Sequence, residues 1–258
     1  MTTLRRLLRP VLGLALFLLF WQLATLGNKR TDVPGPYLTW MGLRELLLQG
    51  ILLRNVVASV FRVAWGFSLA AVVGIPLGMA LGRFPHLNQL FNPPVQLLRP
   101  ISPIAWLPIA TLIFGSARWF DPSDLAAIFL IFLSSFFTIT TATAAAVASI
   151  DQKYLRSAQN FGVTGLSLAS KVLFPAALPQ ILTGLRLALG ISWVVVVAAE
   201  MLGVSSGLGF QVNDARNNLR YDLVVAAMVV IGVIGIGLDA LMRALERFEL
   251  RRRGIGRA

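Results

Sequence analysis

Chemistry or energised transport needs side chains of particular kinds at particular spacings, and this chain has few of them. Its 258 residues include no cysteine and one histidine, His86, which leaves out disulfides, thiolate metal sites and imidazole clusters. His86 follows Pro85 in a polar stretch, RFPHLNQLFNPP, where a lone histidine in a turn is most simply a solvated side chain. There is no His-Glu-x-x-His pattern, no serine-histidine pair beyond His86 and no carboxylate pair at useful spacing within an apolar run, which makes a membrane-embedded enzyme the weaker reading. The phosphate-cradling pattern Gly-x-x-x-x-Gly-Lys-Ser/Thr is absent too. By that motif the chain binds no ATP, and ATP-driven work would need a partner.

What remains is a set of ionisable and polar residues in or beside apolar runs. Glu200 is the most demanding, because an acid near the centre of a membrane helix costs about 2.5–3.5 kcal/mol on insertion scales and must face protein or water. It either lines a solute route or anchors a helix through Ser192, Trp193 or a threonine of the preceding run. For an anionic solute a bare carboxylate in the route would repel, which favours the anchor. Arg62 is expected to snorkel towards an interface. With Asp239 these residues are too few and too scattered for the coupling-ion site of a secondary transporter, the alternative class for a chain of glycine- and proline-broken apolar runs. Pro103 and Pro108, with Trp106 between them, interrupt one run. Each proline removes a backbone donor, and freed carbonyls at membrane depth are tolerated where protein or a water-filled cavity satisfies them. That segment, with Thr138 in a hydroxyl-rich run, is a candidate path lining; kinked packing is the competing reading. Most hydroxyls of Ser134, Ser135, Thr138, Thr140, Thr141 and Thr143 are expected to bond back to helix carbonyls.

The elements that must hold these residues follow from composition. Hydrophobic residues make up 57% of the chain and charged ones 13%, which describes an integral membrane protein rather than a soluble domain. The net charge of +12 would suit a nucleic-acid partner, but the basic residues cluster at the ends of apolar runs and act as topology signals. Six spans are expected in an all-α polytopic fold, at about 10–28, 57–82, 97–117, 125–149, 181–203 and 223–242, within a single domain covering 1–258. The first is expected to be retained rather than cleaved as a signal peptide. An amphipathic stretch after the VPGP breaker at 33–36 is expected to lie at the interface. Gly66, Gly74, Gly78 and Gly82 recur at multiples of four, so one face of the second span permits close helix approach, within the chain or to a second copy. With six spans and the N-terminus inside, fourteen Lys and Arg fall on inner segments and seven on outer ones, leaving Arg62 and Arg186 in the helices, of 23 in all. This bias predicts both termini and the 151–180 loop on the cytoplasmic side.

That loop opens the stretch from Arg156 to Gly190, RSAQNFGVTGLSLASKVLFPAALPQILTGLRLALG, which is polar, basic at its start and punctuated by glycine and proline. It is predicted to be a docking element on one membrane face. Its spacing resembles the "EAA" loop of ABC-importer permeases: Glu-Ala-Ala, three residues, Gly, nine residues, then Ile-x-Leu-Pro. The pattern falls on Arg156, Ser157 and Ala158, then Gly162, then Val172, Phe174 and Pro175. The acidic first position is an arginine here, so any salt bridge made by that glutamate is lost while the shape of the element is kept. The flanking runs LRPISPIAWLPIATLIFG, FPAALPQILTGLRLALGISWVVVVAAEMLGVSSGLGF and GVIGIGLDALMRALER look like permeases of the nitrate/sulfonate/taurine/bicarbonate type.

The resemblance implies a type I importer fold with short interfacial and cytoplasmic coupling helices. It also implies a non-enzymatic subunit in a bacterial inner membrane that passes a small anion. The implied partners are a second copy of the chain, two cytoplasmic ATP-binding subunits holding ATP and Mg, and an extracytoplasmic substrate-binding protein. The coupling loop would comprise Arg156, Ser157, Ala158, Gly162, Val163, Gly165, Val172, Phe174 and Pro175. Gly162 and Gly165 would supply a tight turn or close approach to a partner backbone, and Pro175 and Pro179 would stiffen the return into the next span.

Overall fold

The computed structural model describes residues 2–26, 33–118 and 121–252. The expected inner and outer charges Lys29, Arg30, Arg253 and Arg257 lie outside them. The described residues are helical, without strands. Helix α1 covers Thr2–Leu26, α2 Pro36–Leu48 and α3 Ile51–Arg83. A shorter helix, α4, spans Pro85–Leu98; it is followed by a 3-10 turn at Pro103–Trp106 and by α5, Leu107–Phe114. Then come α6, Pro122–Ala148, and α7, Gln152–Asn160. One helical turn, α8 at Gly165–Leu168, runs through a π-type turn at Ala169–Leu173 into α9, Phe174–Gly203. Helices α10, Leu208–Asn217, and α11, Tyr221–Arg252, complete the described residues.

Four of these stretches are long and apolar enough to cross a membrane: Ile51–Arg83, Pro122–Ala148, Gly165–Gly203 and Tyr221–Glu249. Helix α4 and the 103–114 segment, which meet at 88°, make a fifth crossing if the bent pair is one span. The first helix adds a shorter apolar stretch, Leu12–Thr25. The polar stretch around His86, expected as a turn, is helical instead. Pro85 stands in the first turn of α4, where a missing N–H costs no hydrogen bond, and the break falls further on, around Pro100 and Pro103. Pro93 and Pro94 lie inside α4 without ending it, so neither polarity nor proline alone decides where this segment breaks.

The bundle is held by close backbone approach. Helices α3 and α6 run parallel in register: a Cβ built on Gly66 would lie 2.7 Å from Cβ of Ile131, one on Gly78 2.6 Å from Cβ of Thr143, and one on Gly82 2.5 Å from the carbonyl oxygen of Ala144. Real side chains do not fit at such distances, so the glycine stripe is an intrachain seam. Apolar burial does not drive helix association where the solvent is lipid; dispersion across such close contacts does. Helix α9 runs antiparallel to α6, with Gly184 over Ala142 at 2.6 Å by the same measure and Ser192 meeting Ser135 hydroxyl to hydroxyl at 2.5 Å. Helix α11 lies on the other side of α9, where Trp193 donates its indole N–H to the Ile231 carbonyl at 3.0 Å. As expected, Ser134, Ser135, Thr138 and Thr141 bond back to carbonyls three or four residues earlier. Thr140 and Thr143 do not; their buried hydroxyls have no hydrogen-bond partner among the described residues, and they pack as space-filling groups against Gly74 and Gly78.

Candidate functional site

The two ends of the bundle carry polar residues in opposite ways. At the end where α3 and α6 begin and α9 finishes, polar groups are buried and fully engaged. On α3, Asn55, Ser59 and Arg62 are spaced four and three residues apart and so share one face, and Arg62 is only 1% exposed. Its five N–H groups make five hydrogen bonds. Nε and Nη2 reach Oδ1 of Asp124 at 2.8 and 2.6 Å. Nη1 reaches Oε1 of Glu200 at 2.5 Å and the Ser206 carbonyl at 2.9 Å, and Nη2 also reaches the Ser206 hydroxyl at 2.6 Å.

Glu200 has no exposed surface. Its second oxygen accepts from the Ser59 hydroxyl at 2.8 Å and from the Gly209 N–H at 3.0 Å. The two N–H groups before it at the start of α10 are also taken by α3 side chains: Gly207 donates to Asn55 at 3.0 Å and Leu208 to Ser59 at 2.9 Å. Asn55 in turn donates to Gln211 at 2.9 Å. The Gly209 N–H, at a helix N-terminus that attracts negative charge, thus joins Arg62 in compensating the Glu200 carboxylate. Glycine is required at 207, whose φ is +110 and where a Cβ would collide with the Glu200 carboxylate.

Glu200 is thus buried within contacts between helices, and its partners are not those expected. Ser192 pairs with Ser135 and Trp193 with Ile231, while Arg62, expected to snorkel outwards, turns inwards to hold Glu200. Sequence reading missed Asp124, Ser206, Asn55 and Gln211. The signal within reach was the polar face 55–59–62 inside an otherwise apolar helix. Outside this cluster Arg220, in the turn before α11, bridges Asp222 at 2.8 Å and Glu45 at 2.6 Å. The hydrogen bonds it donates to Asp222 and then Glu45 raise its pKa above the ordinary arginine value, fastening α2 to α11.

The opposite end is open. Asp151 caps α7 by accepting from the Lys153 N–H at 2.9 Å, and Leu155 pins the helix to the bundle by burying itself with Ala146, Val147, Leu173, Ala177 and Ile181. The helix begins at Gln152, four residues before Arg156, so Arg156 and Ser157 lie mid-helix with exposed side chains and Ala158 is half-buried. It ends on Gly162, with φ +76. The Gly162 N–H returns to Gln159 at 2.9 Å and the Val163 N–H to Ala158 at 3.0 Å, the paired bonds of a left-handed helix stop. Gly165, with φ +57, starts the next turn. Neither glycine would bring a Cβ within 4 Å of another atom; within the chain they serve backbone shape, not close approach.

Around them Tyr154, Phe161 and Leu166 are 69, 85 and 89% exposed. Val172 and Phe174 are half-buried against the same small core as Leu155, and Pro175 sits in the first turn of α9. A cleft of about 910 Å³ separates this segment from the last turns of α3, walled by Met79, Arg83, Phe84, Leu166 and Phe174 among others.

The candidate path residues divide. Pro103 and Thr138 share a cavity of about 230 Å³ with Ser134 and Ile191. Trp106 is half-buried against the main core. Pro108 is exposed, and its carbonyl accepts from the Thr111 hydroxyl at 2.8 Å. Ser192, Trp193 and Glu200 belong to helix contacts.

Residues 74–250 match a family model described as the inner membrane component of binding-protein-dependent transport systems. The chain is 38% identical to the bicarbonate transport system permease protein CmpB of Synechococcus elongatus, over 95% of this chain and 90% of the relative. It is 34% identical to the nitrate import permease protein NrtB of Synechocystis sp., over 93 and 88%. To the taurine transport system permease protein TauC of Escherichia coli it is 36% identical, over 78 and 70%. Among solved structures, inward-facing MetNI methionine ABC transporter superposes with a TM-score of 0.61 at 19% identity, over 75% of this chain and 95% of that one, a likeness of fold.

Proposed function

This chain belongs to the family of binding-protein-dependent transport system inner membrane components, and from that premise we propose that it is the permease subunit of an ATP-driven importer of a small anion. The relatives named for bicarbonate, nitrate and taurine support the substrate class. A binding protein delivers the solute from outside, two copies of this chain form the route, and two cytoplasmic subunits bind Mg-ATP and hydrolyse it. The assembly sits in a bacterial inner membrane with both termini and α7 on the cytoplasmic side, in keeping with the bias of basic residues.

The observation that carries the reading is the exposed unit from α7 to Gly165. It is held by its cap and its left-handed stop, seated on the bundle through Leu155, and bears two exposed large side chains, Tyr154 and Phe161, with Leu166 directly after it, that no described residue covers. A rigid knob continuous with a membrane helix transmits displacement, whereas a floppy loop absorbs it. Arg156, Ser157, Ala158, Gly162, Val163 and Gly165 present the contact, and Val172, Phe174 and Pro175 pass its motion into α9.

The test is purification of the membrane assembly. A phosphate-loop ATPase should come with it, and its hydrolysis should rise when loaded binding protein is added. A purified chain that transports alone, in proteoliposomes without ATP, would remove the importer reading in favour of a secondary transporter.

A further inference from the structure

We propose that Arg99, at the break between α4 and the 103–114 segment, is the cation that meets the transported anion midway across the bundle. Arg99, one of the fourteen basic residues assigned from the sequence to inner segments, instead lines the same cavity of about 230 Å³ as Pro103, Ser134, Phe137, Thr138 and Ile191. Ser134 and Thr138 stand at the middle of α6, which runs from Pro122 to Ala148, and Ile191 is well inside α9. A guanidinium reaching this level is at membrane depth, where a charge must face a partner or water rather than lipid.

The other arginines at comparable depth have partners. Arg62 is sealed by Asp124 and Glu200, and Arg186 is paired with Asp239 at 2.6 Å. Among the described residues Arg99 has no acidic partner and remains exposed. An always-charged planar donor without a carboxylate suits a planar or tetrahedral oxyanion, which two of its N–H groups can bind in parallel. The backbone supports the same reading: irregular segments at membrane depth are tolerated where they line a water-filled cavity, and here the span turns by 88° just beyond Arg99. Two hydroxyls complete the wall. Ser134 and Thr138 bond back to Ile131 and Ser134 carbonyls at 2.9 and 3.0 Å, local bonds that a rotated side chain exchanges for one to a passing oxygen. A single cation with weak helpers fits a route, where an ion must bind well enough to enter and loosely enough to leave.

This inference rests on the anion-importer reading and names the residue that serves it. The absence of cysteine makes the test direct, since Arg99→Cys is the only thiol of the chain. The full assembly, with its ATP-binding subunits and binding protein, is reconstituted and ATP-driven uptake of nitrate, bicarbonate and taurine is measured. Arg99→Cys should lower uptake of the transported anion at least tenfold while binding-protein-stimulated hydrolysis persists. A water-soluble thiol reagent that adds an aminoethyl group should restore a substantial part of the uptake, and one that adds a sulfonatoethyl group should not; the unsubstituted assembly is treated in parallel. Uptake at the original rate in Arg99→Cys, or equal effects of the two reagents, overturns the site alone. No ATP-driven uptake of any of the three by the unsubstituted assembly overturns the anion reading and the site with it.

Discussion

Glu200 and Arg156 are both polar residues on helices of one bundle, yet one has no exposed surface and three hydrogen-bond donors around it, and the other faces outwards from a capped helix. The end that holds Glu200 uses charge to fasten α3, α6, α9 and α10 to one another. The end that holds Arg156 uses backbone shape to present a surface and leaves its large side chains uncovered. The difference teaches that polarity in a membrane helix has to be sorted by satisfaction. A satisfied buried network is scaffold, and an unsatisfied exposed unit is where a partner belongs.

The largest effect should come from breaking the sealed end. Arg62→Leu leaves Glu200 buried without its cation, and removal of one member of a buried ion pair costs about 3–5 kcal/mol. Little folded protein should be recovered from membranes, as judged by the monodisperse fraction in detergent. The paired change Arg62→Leu with Glu200→Leu should cost less than the sum of the two single changes, because it removes both fully buried charges and leaves only the part-exposed Asp124 without its cation. If Arg62→Leu assembles and melts as the unsubstituted chain does, the network is not the fastener described.

Next comes the seam between the ends. Gly78→Leu forces α3 from α6 at a point where a Cβ already meets Thr143 at 2.6 Å, an overpacking cost of about 1–3 kcal/mol or more. It should lower the melting temperature of the purified chain. A Gly78→Leu chain with an unchanged melting temperature would mean that the two helices are not held at this distance.

The smallest effect belongs to the open end. Arg156→Glu restores the acidic residue of the family loop pattern at a side chain with no ion pair among the described residues, and exposed charges contribute about 0–1 kcal/mol. Binding-protein-stimulated hydrolysis should stay within about twofold of the original. A collapse of stimulation would show that the arginine has an acidic partner on the ATP-binding subunit.

How much of this was legible in the sequence follows the range of the interactions involved. The spacing from Arg156 through Gly162 to Pro175 is local, and so is the alternation of apolar runs that marks the membrane helices; both could be read directly. The glycine stripe 66–74–78–82 was legible as a face, though only the structure assigns it to α6. Around Arg62 the partners are 62, 138 and 144 residues away in the chain, and no local spacing encodes them. For that reason Arg62 was expected to snorkel and Glu200 was matched to Ser192, Trp193 or a threonine of the preceding run. The segment 83–94 was misjudged for another reason: its polarity suggested a turn, while Pro85 was placed where a helix can begin.

The contrast between the ends is tested most directly by Gly162→Trp, made in the full assembly and followed by copurification of the ATP-binding subunits. Gly162 has φ +76 and open space around it, so within the chain the change brings only local strain of about 1–2 kcal/mol. The account predicts that the permease inserts and melts within about 5 °C of the original, while the ATP-binding subunits no longer copurify. A Gly162→Trp assembly that retains them and transports at the original rate would contradict the assignment of this end as the coupling surface.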